Sequence, residues 1–160
     1  MSMIGNFLAV TQEELEELYS SPNKLLVFLY EESPNDILDV DKAWHAIHYT
    51  LTGETYGGDV PLANVVFGIN PIGEEDVGYG PALGTDTLTV KEIANALNKI
   101  TDTDFKHKFN AKALASAEIY PQIWDEGDAA LDYVVTYFNE LREFYRQAAE
   151  KDLAIITFIN

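Results

Sequence analysis

Leu153-Ala-Ile-Ile-Thr-Phe-Ile159 closes the chain with six apolar side chains in seven positions. A β-branched run of that length with no polar alternation is a strand buried on both faces. The other end of the chain carries a partner of similar length and apolarity, Met3–Val10 (MIGNFLAV), broken only by Gly5 and Asn6. Both terminal runs are expected in one small sheet. Between them the periodicity is mostly helical. Thr11 with Glu14 forms a capping box, after which Leu15 and Leu18 make an apolar stripe and Glu13, Glu14, Glu16 and Glu17 face water near the positive helix end. Pro22 is placed as first residue of a second helix, whose Leu25, Leu26, Phe28, Leu29 and Tyr30 are dense enough for burial on more than one side. A loop follows over Glu31–Asn35.

Asp39 reads as the N-cap of a third helix, Val40–Thr52, and Gly53 as its stop. The stretch Glu54–Gly84 holds so many glycines and prolines that it reads as turns, with strands expected at Ala63–Gly68 and around Tyr79–Val90. Thr89 with Glu92 marks a fourth helix carrying Ile93, Ala96, Leu97 and Ile100. Short helices are expected at Asp102–Phe109 and Asn110–Ala117, then a break at Glu118-Ile-Tyr-Pro121, where proline forces Tyr120 toward extended backbone. The longest helix is Glu126–Lys151, with Leu131, Val134, Val135, Phe138, Leu141, Phe144 and Tyr145 at three- and four-residue steps. With no repeats or linkers, residues 1–160 read as a single α+β domain: several helices covering a small mixed sheet. No G-x-G-x-x-G or P-loop follows a strand, which disfavours a doubly wound nucleotide fold.

Composition narrows the function. Of 160 residues, 27 are acidic and 10 basic, a net charge of −17. Nucleic-acid binding is not expected, because phosphates need Lys and Arg to displace counterions. Residues 1–80 hold 14 acids against Lys24 and Lys42, whereas residues 81–160 hold 13 acids and 8 bases. Such a field steers a basic partner, and equally serves solubility. Zero cysteines remove disulfides, thiolate nucleophiles and Cys-ligated metals. No apolar run approaches the roughly 18 residues of a membrane span, and no signal peptide is recognisable, so a cytoplasmic protein is expected.

The third helix carries the best constellation. At about 100° per residue from Asp41, His45 falls near ~40°, His48 near ~−20° and Thr52 near ~20°, beside a stripe of Val40, Trp44, Ile47 and Leu51. An Asp41–histidine pair can raise an imidazole pKa or fix a tautomer for general acid–base work, whereas His48 beside Trp44 can equally be a core-edge histidine. Asp41, His45 and His48 can face one metal, but a zinc site wants a further ligand and none is evident, so neither metal nor cofactor is expected. Glu118, Tyr120 and Trp124 around Pro121 can line a pocket or cap the core. The acidic turn within Asn70–Gly84 matches neither an EF-hand nor a phosphate cradle. No G-x-S-x-G, S-x-x-K or H-E-x-x-H is present.

Met3-Ile4-Gly5, the segment Leu38–Gly53 and Glu118-Ile-Tyr-Pro121 resemble the YfbM-like family of uncharacterised bacterial proteins over nearly the whole length. The most specific part is D-K-x-W-x-x-x-H-x-x-L-T-G, met by Asp41, Lys42, Trp44, His48, Leu51, Thr52 and Gly53. The resemblance implies a single YfbM-like α+β domain without an established activity, with Asp41, Trp44, His48, Thr52, Glu118 and Tyr120 as recurrent residues and His45 outside the pattern. Two functions fit these features. One is an acidic protein that binds a basic protein partner, inhibitor- or immunity-like. The other is an enzyme or ligand-binding protein with a pocket of Asp41, His48, Thr52, Glu118 and Tyr120. Trp44 is expected in the core.

Overall fold

The computed structural model describes residues 2–32 and 37–160. The strands are β1 (Gly5–Val10), β2 (Ile37–Asp39), β3 (Asn70–Pro71), β4 (Leu83–Thr85) and β5 (Ala154–Ile159). The helices are α1 (Gln12–Ser20), α2 (Leu25–Tyr30), α3 (Trp44–Thr52), α4 (Thr87–Asn98), α5 (Asp102–Lys108), α6 (Ala111–Ser116) and α7 (Asp128–Glu150). The two terminal strands pair along their whole length, Gly5 opposite Ile159 and Val10 opposite Ala154, in a sheet of order β2-β1-β5-β4-β3. Reciprocal bonds between Ile4 and Asn160, at 2.8 and 3.1 Å, extend that ladder. Every pairing is antiparallel, where a mixed sheet was expected. Parallel neighbours need a right-handed crossover, and no two adjacent strands here are joined by one.

Alternation along β1 and β5 sorts side chains into two cores. Leu8, Val10, Ala154, Ile156 and Phe158 face one cluster with Leu15, Leu18, Leu25 and Leu29 of α1 and α2. Phe7 and Ile155 face the other, larger one, built from α3, α4 and α7 with Phe105 and Leu114. The apolar run at the C-terminus is therefore buried on both faces, as its composition requires, because helices cover both sides of the sheet.

Local chemistry sets most of the boundaries. The Thr11–Glu14 capping box is complete, with Glu14 N–H donating to Thr11 Oγ1 at 3.0 Å and Thr11 N–H to Glu14 Oε1 at 2.9 Å. Gly53 ends α3 in the left-handed region at φ 76. Other boundaries move. Pro22 opens a 3-10 turn, Pro22–Lys24, ahead of α2, and only Leu25 and Leu29 of α2 are buried. Of the loop expected at Glu31–Asn35, residues Ser33–Asn35 lie outside the described residues. The fourth helix begins at Thr87, not Thr89: Asp86 caps it, accepting from Thr89 N–H at 2.8 Å. The strand expected at Ala63–Gly68 is a 3-10 turn, Leu62–Asn64, and bends. Val65 and Val66 both face the larger core, which a turn permits and strand alternation forbids. The second expected strand shrinks to Leu83–Thr85.

Candidate functional site

The sequence places a helix over Val40–Thr52, but α3 is entered in two steps. Asp39 ends β2, and its carboxylate accepts Asp41 N–H at 2.7 Å. Asp41 adopts φ 50, a conformation Asp tolerates better than most residues, and starts a 3-10 turn through Ala43. That turn rotates Asp41 out of line with α3, because 3-10 winding advances faster than 100° per residue. Its carboxylate meets Tyr133 of α7 instead of a histidine. Tyr133 donates to Asp41 Oδ2 at 2.7 Å and accepts Lys42 N–H at 3.0 Å. Burial and the adjacent carboxylate push the Tyr133 phenol well above its ordinary range. The group clamps the entry of α3 to α7 across 92 residues of sequence.

Both histidines of α3 are buried, His45 at 4% exposure and His48 at 0%. The polar strip beside the apolar stripe is covered by the segment after Gly53, so the core-edge reading of His48 holds. His45 is fully engaged: Tyr120 N–H donates to its Nδ1 at 3.3 Å, and its Nε2 lies 3.1 Å from Thr55 O. Since Nδ1 must accept, Nε2 carries the proton, and His45 is held as one neutral tautomer. Burial lowers its pKa, against the opposing pull of the Thr55 carbonyl. Its ring stacks on Trp44 at 4.9 Å and lies 5.2 Å from Tyr56.

His48 is the opposite case. Among the described residues neither ring nitrogen has a hydrogen-bond partner, and its ring meets Phe67 edge-on at 4.8 Å. Desolvation brings its pKa down to about 4; the nearby Gly57 backbone opposes this without meeting hydrogen-bond geometry, and His45 adds to the lowering. Trp44 is in the core at 3% exposure, as expected, and its Nε1 donates to Met3 O at 2.9 Å. Tyr120 OH accepts Met3 N–H at 3.1 Å, so Trp44 and Tyr120 together hold the N-terminal strand's lead-in.

Thr52 folds its hydroxyl back to His48 O at 2.9 Å and accepts Glu54 N–H at 3.0 Å. Glu118 is exposed, at φ 54. Among the described residues no hydrogen bond joins the side chains of Asp41, His48, Thr52, Glu118 and Tyr120 to one another. Tyr120 reaches the His45–Trp44 stack, Asp41 the α7 clamp. Trp124, at 5% exposure, donates to Ile119 O at 2.8 Å and caps the core. Tyr133 as the partner of Asp41 carried no local signal. Among the described residues no cluster of His, Cys, Asp and Glu is arranged to hold a metal ion.

A second region emerges only from the fold. Exposed Glu13, Glu14, Glu16 and Glu17 of α1, Glu31 and Glu32 after α2, and Glu74, Glu75 and Asp76 of the β3–β4 turn lie on the α1/α2 side of the sheet. The turn is held there because Ile72 and Val77 join the smaller core and Gly73 packs on Pro22. Asp76 also fastens the turn, accepting from Gly78 N–H at 2.7 Å and Gly80 N–H at 3.0 Å. Lys24 is the one base in these segments, and it pairs with Glu17 at 3.0 Å.

Protein YfbM of Escherichia coli (strain K12) is 27% identical over 129 residues, covering 77% of this chain and 75% of that protein. The crystal structure of YfbM from Escherichia coli, described as a protein of unknown function, matches with a TM-score of 0.77 at 24% identity over 98% of this chain and 99% of that one. That likeness shows a shared fold. No helix among the described residues is long and apolar enough to cross a membrane. The family described as "Domain of unknown function (DUF1877)" matches residues 1–158, and this chain belongs to it.

Proposed function

We propose that the protein is a bacterial cytoplasmic binding protein that engages a basic protein partner with the acidic side of its sheet. One observation carries this reading. Nine exposed carboxylates from α1, the end of α2 and the β3–β4 turn lie on one side of the sheet, and residues 11–32 and 70–85, which carry them, hold one base, Lys24. Eight of the ten bases belong to residues 81–160, which supply most of the opposite layer, and there they offset much of the charge of 13 acids. A face where carboxylates are so little diluted by bases gives orientation and fast, salt-sensitive association, with screening beyond about 8 Å at physiological ionic strength. Affinity capture from the source lysate at low and high salt tests it. The expected result is a basic protein held at low salt and released at high salt. Capture of nothing at either salt, or of a partner indifferent to salt, overturns the reading.

A second reading, a ligand pocket of Asp41, His48, Thr52, Glu118 and Tyr120, is favoured by the two unpartnered nitrogens of His48. A polar guest there would satisfy them after displacement of the segment that follows Gly53. A thermal-shift screen of metabolites tests it, since a ligand at 100 times its Kd adds about 2.7 kcal/mol. No shift from any of them counts against the pocket.

A further inference from the structure

The α1–Pro22–α2 unit leaves apolar surface that the fold does not use. All six residues of α2, Leu25-Leu-Val-Phe-Leu-Tyr30, are apolar or aromatic, yet only Leu25 and Leu29 are buried. Val27 is 42% exposed and Tyr30 54%. Between α1 and α2 runs a groove of about 460 Å³ whose apolar lining is Leu18, Val27 and Phe28 and whose carboxylates are Glu14, Glu17 and Glu32. The volume lies within the roughly 300–1,000 Å³ of ligand clefts, room for a few side chains.

We propose that this groove receives a basic amphipathic segment of the partner, which seats apolar side chains on Val27 and Phe28 and places Lys or Arg against Glu17 and Glu32. The proposal rests on the basic-partner reading and adds where and how that partner binds. Charge decides the occupant. Residues 11–32 contain six acids and one base. A second copy of this chain brings the same acids and a net charge of −17, so like charges meet. Nucleic acid and anionic lipid are repelled for the same reason. A helix with apolar anchors and cations on its flanks satisfies both the floor and the rim. Lys24 then acts as a placeholder. Its contact with Glu17 is well exposed on both sides, at 57% and 62%, and such a pair is weak enough for an incoming cation to replace it.

The test uses a labelled synthetic helix with Leu at i, i+3, i+4 and i+7 and Lys elsewhere, followed by fluorescence anisotropy at moderate salt. Glu17→Lys with Glu32→Lys is expected to weaken binding at least tenfold. Glu126→Lys with Glu140→Lys, the same charge change on the α7 side, is expected to cost no more than about twofold. Val27→Ser and replacement of the peptide's Leu by Ala are each expected to weaken binding severalfold. Lys24→Gln should tighten it, an effect that misfolding does not mimic. Equal losses from the two charge-reversal pairs, with Val27→Ser and the Ala peptide unchanged, overturn the groove while leaving a diffuse acidic field that attracts a basic partner. No binding by the parent overturns the groove outright, and the lysate capture then judges the broader reading separately.

Discussion

Replacing His48 by Leu tests the claim that a neutral, unpartnered imidazole is sealed under the segment that follows Gly53. An unfolded chain protonates His48 at its ordinary value of 6.5, whereas the buried ring resists protonation until about 4. Between those values the unfolded state binds more protons, so stability is complete above the unfolded pKa and falls as pH falls. One proton of difference corresponds to about 1.4 kcal/mol per pH unit, so His48 accounts for at most about 3–4 kcal/mol across the window. At pH 7 the substitution has two opposed effects. It removes two orphaned polar atoms, about 1 kcal/mol or more of relief, and forfeits the edge contact with Phe67, about 0.5–1.5 kcal/mol. The net change there is expected to stay within about 1 kcal/mol. Urea melts followed by Trp fluorescence at steps from pH 7.5 to 4.5 give the difference curve. The parent should lose ground to His48→Leu as pH falls, while a shallower slope survives in both from His45, whose pKa is also lowered by burial. Parallel curves for the two proteins would refute the reasoning, because His48 would then titrate near its ordinary value or hold a polar partner in solution.

Trp44→Ala should cost roughly 3–5 kcal/mol in a urea melt, since it empties a buried indole site and orphans Met3 O. Tyr133→Phe removes the donor to Asp41 and the acceptor for Lys42 N–H while keeping the ring, and about 1–2 kcal/mol of stability should go. A parent-like melt would show that the α3–α7 clamp contributes nothing. Gly5→Ala puts a Cβ 2.8 Å from Trp44 Cβ, where neither atom can swing aside, so a loss of about 1–3 kcal/mol is expected. Unchanged stability there would mean that β1 and α3 sit further apart than described.

The features legible in the chain alone are those encoded within a few residues. The box at Thr11 and Glu14, the left-handed stop at Gly53, the long stripe of α7 and the two-sided apolarity of Leu153–Ile159 each depend on neighbours close in the chain. The core placement of Trp44 followed from the same periodicity. Tertiary structure decided the rest. Asp41 and His48 look aligned on a helical wheel, but a 3-10 turn and a left-handed residue swing Asp41 toward Tyr133, a partner 92 positions away. His45 and His48 read as a polar strip at the edge of the core, and nothing local announces that residues after Gly53 will cover them. The apolar run of α2 looked like core on more than one side; the sheet offers it only one, and the excess lines an acid-rimmed groove. Local steric and hydrogen-bonding preferences act over a turn or two of chain, whereas a side chain's partners and its access to water are set by which distant segments the two cores draw together.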